Sequence, residues 1–130
     1  MKLKTLMIIN TVVAAVFGLG FLIIPGQIHS FYGTEANLSV NFMSQLFGTA
    51  LIGFAILTYL ARNTELTGAG KAIVVALFIS DVIGFVVSLI EQLQGVINSL
   101  GWSTVAIYLL LAIGFGYFSF VKTAAPKEEK

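Results

Sequence analysis

Four long apolar stretches, separated by short polar segments, set the pattern of the chain. The stretches cover about residues 5–24, 38–61, 71–93 and 100–121. Each is close to the ~20 residues that an α-helix needs to span a bilayer. We therefore predict an all-α integral membrane protein, a single-domain four-helix bundle in which the helices alternate up-down-up-down and neighbours are antiparallel.

Turn signals mark the ends of the predicted helices. Pro25 and Gly26 end the first helix, because proline cannot continue the hydrogen-bond ladder. Asn37 or Ser39 suits the N-cap of the second helix. We predict that residues 27–37 form a loop, and that the polar residues 62–70 form the next one.

Composition makes lipid the expected solvent of this chain. Hydrophobic residues make up 58% and charged residues 10%, and the mean hydropathy is +0.98. Soluble domains carry about 25% charged residues, so a soluble protein this apolar could not cover its own surface. The net charge of +1 and the lack of a basic stripe argue against a nucleic-acid partner.

The basic residues indicate how the helices are oriented. All seven lie before the first helix, in the second loop or after the fourth helix: Lys2, Lys4, Arg62, Lys71, Lys122, Lys127 and Lys130. Cytoplasmic segments of membrane proteins are enriched in Lys and Arg. We therefore predict a multi-pass protein of the cell membrane with both termini in the cytoplasm, including a charged tail at 123–130.

Each predicted helix contains a pair of small residues spaced four apart. The pairs are Ala14 and Gly18, Ser44 and Gly48, Gly84 and Ser88, and Ala112 and Gly116. Such pairs let membrane helices approach closely. They favour packing of the four helices on one another, and a seam with a second copy or a larger membrane complex is the alternative.

Asp81 is the polar residue that most needs an explanation, because it lies near the middle of the third predicted helix. A carboxylate there costs about 2.5–3.5 kcal/mol on insertion scales. Ser88 and Glu91 fall on the same helix face, and the second helix begins nearby with Asn41 and Gln45. These five residues predict a polar funnel, open to the outside, with Asp81 at its floor.

Two interpretations of the funnel stay open. In the functional one, Asp81 titrates a proton, binds a cation or anchors a polar ligand, with Ser88, Glu91, Asn41 and Gln45 as further pocket residues. In the structural one, Asp81 is a hydrogen-bonded carboxyl and Glu91 is solvated at the interface. An ionisable residue inside a membrane is by default a functional candidate.

The residues that most enzymes and metal sites need are missing from the sequence. There is one histidine, in a predicted loop, and no cysteine. We therefore predict no catalytic residues, no metal site and no cofactor. The leading hypothesis is a non-enzymatic membrane protein that acts by association, as an accessory subunit or a small homo-oligomer. The alternative is a small proton- or cation-coupled transporter built around Asp81.

The first half of the chain carries a family resemblance. The run from Gly20 to Pro25 (GFLIIP), then Phe31-Tyr32-Gly33, then Gly48 to Gly53 (GTALIG), resembles the small four-helix membrane proteins of the DoxX-like or DUF4345-like kind. In such proteins a proline ends the first helix, and a glycine-bearing turn leads to a helix rich in small residues. The resemblance implies a four-helix membrane fold more than an activity.

Overall fold

A computed structural model describes residues 1–121, and the predicted tail at 123–130 lies outside them. Over the described residues the secondary structure is entirely helical: α1 (Leu3–Ile23), α2 (Pro25–Phe31), α3 (Leu38–Leu60), α4 (Gly68–Leu93) and α5 (Gly101–Gly116), followed by a π-helical turn (Tyr117–Val121). Four helices are long and apolar enough to cross a membrane, the fourth being α5 with its π-helical extension. The predicted helical class is confirmed.

The segment after α1 differs from the prediction, because residues 25–31 form a short helix and not a loop. Pro25 occupies the first turn of α2. Proline has no N–H to donate, so it breaks the ladder of α1, and its fixed φ angle suits the first position of a new helix. The same residue therefore ends one helix and begins the next.

Helices α1 and α3 pack closely along their lengths. A Cβ atom on Gly48 would lie 2.6 Å from the carbonyl oxygen of Gly18, so only glycine permits this approach. Further along, Thr11 Oγ1 and Thr58 Oγ1 share a 2.8 Å hydrogen bond, and Thr58 is fully buried. The two helices therefore run antiparallel to each other.

Helices α4 and α5 form the second close pair. The ring of Tyr108 lies against Gly84, and the ring of Phe78 lies against Gly116. Small residues in one helix therefore receive large side chains of the other. At the far end Lys71 donates a hydrogen bond to the carbonyl of Ser119. Packing inside the chain, predicted for the small residues, is confirmed at Gly18, Gly48, Gly84 and Gly116.

A buried apolar core joins the two pairs at one end. Its members come from the first turns of α1, the first half of α4 and the end of the chain's last helix: Leu6, Met7, Val74, Leu77, Leu111, Phe115 and Phe118. Beyond this core, towards α2, the two pairs separate around a cavity. The core therefore closes one end of that cavity.

The outward faces of the long helices are apolar. Val16, Leu110 and Ile113 are each 60–66% exposed, and many other large aliphatic side chains lie beside them. A contiguous apolar surface of this extent is not found on soluble monomers. It has the character of a surface in contact with lipid tails.

Candidate functional site

The space between the two helix pairs is a cavity of about 240 Å³. Phe17 and Phe21 of α1 and Phe47 and Phe54 of α3 line one side, and Tyr108 of α5 lines the other. Phe21 and Phe47 meet edge to face, with ring centroids 5.3 Å apart. A mostly apolar cavity with a few polar groups is the usual form of a small-molecule site.

Asp81 is the one acidic residue within residues 1–121 that lines the cavity. It is only 8% exposed, and its Oδ2 atom is buried with no hydrogen-bond partner among the described residues. Buried polar atoms in native proteins almost always have a partner, so an exception calls for an explanation. The Asp81 carboxyl is therefore the group of the cavity wall whose chemistry most needs an explanation.

Neutral polar groups accompany Asp81 in the lining. Ser80 precedes it on α4, and Asn10 of α1, which is 6% exposed, lies on the same cavity. Thr104 of α5 and Tyr32 line it as well. The cavity thus offers one carboxyl group and several amide or hydroxyl groups within an otherwise aromatic and aliphatic wall.

Residues 25–34, which we call the strap, lie at the end of the cavity away from the core and contribute Tyr32 to its lining. Tyr32 lines the cavity from the strap, and its hydroxyl accepts a 3.2 Å hydrogen bond from Thr104 Oγ1. Asn98, in the loop between α4 and α5, donates from Nδ2 to the carbonyl of Phe31 at 2.9 Å. The backbone N–H of Asn98 donates to the carbonyl of Tyr32 at 3.0 Å.

The strap is also fastened to the other helix pair through His29. One ring nitrogen, Nε2, lies 2.7 Å from Ser44 Oγ of α3, and the other, Nδ1, lies 2.8 Å from Thr34 Oγ1. Both nitrogens of the chain's single histidine are therefore occupied. The strap therefore makes polar contacts with both helix pairs.

Of the five residues predicted to form the funnel, the structure brings only Asp81 to the cavity. Gln45 lies on α3, where its Nε2 donates to the carbonyl of Leu22 at 3.2 Å. Leu22 is in the last turn of α1, whose carbonyls lack partners within the helix, so Gln45 caps a helix end. Asn41 has a buried Oδ1 without a partner among the described residues, and it does not line this cavity.

The remaining two predicted site residues lie further along α4. Ser88 donates from Oγ to the carbonyl of Phe85, within its own helix, at 3.2 Å. Glu91 is partly buried in the last turn of α4. Neither lines the cavity. The ring of Tyr108 lies against Gly84, which is one turn after Asp81 on α4. The ring therefore separates Asp81 from Ser88 on the helix face that was predicted to be polar.

Asn10 is not among the residues that the sequence predicted for the site. The structure puts it on the cavity together with Ala14, Phe17 and Phe21. These residues are spaced four, three and four apart, so they share one face of α1. That spacing is the signal that could have connected Asn10 with the aromatic wall.

Within residues 1–121 no group of three or more His, Asp or Glu side chains is arranged to hold a metal ion. Comparison of the chain with protein families, with curated proteins and with solved structures finds no match. Any functional inference therefore rests on the geometry of the cavity.

Proposed function

We propose that the chain is an integral membrane protein whose four long helices cross the bilayer alternately, up-down-up-down, with both termini in the cytoplasm. Four helices of spanning length and an apolar outer surface support the insertion. The positions of the basic residues support the orientation. In this arrangement the apolar core lies on the cytoplasmic side, and the strap lies on the outer side.

We further propose that the protein binds a small, mainly apolar molecule in the cavity, with a polar group of that molecule on Asp81. The observation that carries this proposal is the unpartnered Oδ2 of a buried carboxyl on a cavity of about 240 Å³. A bundle selected for stability alone would have filled this space with apolar side chains. Coupled transport of the bound molecule, predicted from Asp81, stays a prediction.

Action by association with other membrane proteins, which the sequence favoured, also stays a prediction. It was supported by the lack of catalytic groups in the sequence and by the small-residue faces of the helices. Gly18 and Gly48 contact each other, and Gly84 and Gly116 receive aromatic rings of the same chain. Because these faces are used within the chain, the geometry favours ligand binding.

A cavity-filling variant tests ligand binding. In detergent, toluene, indole or benzyltrimethylammonium should raise the melting temperature of the wild-type protein, because a ligand that binds only the folded state stabilises it. Leu51→Phe places extra volume in the lining and should abolish the response. Ile113→Phe adds a similar volume to an outward-facing residue that is 60% exposed, and it should respond as the wild type does. Equal responses in both variants, or none in the wild type, would contradict the proposal.

A further inference from the structure

The chemistry of the cavity wall specifies the charge of the molecule that fits it. Among the lining residues that the structure describes, one is an acid and none is Lys, Arg or His. An anionic ligand would meet Asp81 without any compensating cation. A neutral ligand would leave the carboxyl with at most a hydrogen-bond donor. A cation can interact with the carboxyl through its charge or through an N–H donor. It also matches the negative charge that an ionised Asp81 gives to the site.

The aromatic rings of the lining point to the same ligand charge. Six of the lining residues are aromatic: Phe17, Phe21, Tyr32, Phe47, Phe54 and Tyr108. The face of an aromatic ring carries partial negative charge and attracts cations, most strongly where water is excluded. Rings on both sides of the cavity therefore complement an alkylated ammonium group, whose methyl or methylene groups also suit the apolar wall.

Three basic side chains within residues 1–121 make their polar contacts away from the cavity. Arg62 lies over the Tyr59 ring at 4.0 Å and donates to the Tyr59 carbonyl at 2.6 Å. Lys71 donates to the carbonyl of Ser119. His29 has both ring nitrogens in hydrogen bonds to hydroxyl groups. None of these residues lines the cavity, so none supplies Asp81 with an internal counter-charge.

We infer that the ligand of the cavity is a small hydrophobic cation, an alkyl- or arylammonium, held by Asp81 and the surrounding rings. This inference rests on the proposed ligand binding and names its chemical class. The polar groups of Asn10, Ser80 and Thr104 provide oxygen atoms that can accept hydrogen bonds from an ammonium group bearing N–H.

Two probes of equal shape and different charge test the inference. Benzyltrimethylammonium and neopentylbenzene differ only in a quaternary nitrogen in place of a carbon. Binding to the wild-type protein in detergent micelles should be at least about tenfold tighter for the cation than for the neutral probe. Asp81→Asn keeps the size of the side chain and should remove most of this difference.

A second variant keeps the test valid if Asp81→Asn does not fold. Phe17→Leu removes one ring from the lining and keeps an apolar side chain, so it should weaken the cation more than the neutral probe. Equal affinity of the two probes for the wild type would overturn the cation inference and leave ligand binding intact. Binding of neither probe would overturn both. A preference for the cation that survives unchanged in Asp81→Asn and Phe17→Leu would also overturn the inference.

Discussion

At the scale of single residues, Asp81 is the position where stability and the proposed ligand binding make opposite demands. Its Oδ2 atom has no partner among the described residues, although the residue is more than nine-tenths buried. A buried polar group without a partner costs about 1–3 kcal/mol. Stabilising substitutions are often available at functional positions, because those positions are constrained by a ligand and not by the fold.

Asp81→Leu should therefore raise the free energy of unfolding, by about 1–3 kcal/mol, in the absence of ligand. The change removes an unpartnered polar group and adds apolar contacts, and it orphans no partner. Thermal or denaturant unfolding in detergent measures it, with Asp81→Asn as the matched control that keeps a polar group and should change stability little. A large loss of stability in Asp81→Leu would mean that the carboxyl has a structural role.

Binding of a permanent cation should depend on pH through Asp81. A quaternary ammonium group is attracted by the ionised carboxyl and not by the protonated one. Affinity for benzyltrimethylammonium should therefore fall as the pH is lowered through the titration of Asp81 and recover when the pH is raised. The other titratable groups of the lining are Tyr32 and Tyr108. Titrations at several pH values measure the profile, which should be flat in Asp81→Asn.

The sequence identified Asp81 because a charge inside an apolar span is conspicuous without any structure. It could not say which neighbours surround that residue, because this depends on the rotation of each helix about its axis. Asn10 shows the difficulty: its depth alone suggested distance from Asp81, yet the rotation of α1 turns it to the same cavity. Gln45 is the opposite case. It was predicted to line the funnel, but its side chain donates a hydrogen bond to a carbonyl at the end of α1.

At the scale of secondary-structure elements, the pairing of α1 with α3 depends on one close glycine contact. Gly48→Ala should destabilise the protein by about 1–3 kcal/mol, because its Cβ would lie 2.6 Å from the Gly18 carbonyl and the helices must separate. Gly53→Ala on the same helix meets no atom within 4 Å and should be neutral or stabilising. Unfolding of the two variants in detergent compares them directly, and equal stabilities would contradict the packing described.

The strap should open more often when its contact with Asn98 is removed. Asn98→Ala loses the 2.9 Å bond to the Phe31 carbonyl and the 3.0 Å bond that its Oδ1 accepts from the Leu100 N–H. We expect amide hydrogen exchange within residues 25–34 to accelerate by about tenfold. Asn63→Ala, at an exposed position in another loop, should leave that exchange unchanged. Unaltered exchange in Asn98→Ala would show that the strap is held by other contacts.

The sequence predicted the four long helices closely, because each has a continuous apolar run and clear end signals. It missed α2, since seven residues are too few to show a helical period and Pro25-Gly26 reads as an ending. The π-helical turn at Tyr117–Val121 has no comparable sequence signal. The long helices were therefore predictable, and the short helix α2 was not.

At the scale of the whole molecule, the predicted orientation can be tested cleanly, because the chain has no cysteine. Single substitutions Glu35→Cys, Glu65→Cys and Ser99→Cys place one thiol in each segment between the long helices. In intact cells a membrane-impermeant maleimide should label the first and third and spare the second. Labelling of all three after permeabilisation is the control. Reaction of Glu65→Cys alone in intact cells would reverse the orientation.

The cavity lies between the two helix pairs, so a bound molecule would contact both and contribute to holding them together. The most direct test of this account is infrared difference spectroscopy of the purified protein with and without benzyltrimethylammonium. The account predicts a change in the carboxyl bands on binding that is absent in Asp81→Asn and present in Ile113→Phe. The account would be contradicted if saturating benzyltrimethylammonium left the carboxyl bands of the wild-type protein unchanged, or changed them equally in Asp81→Asn.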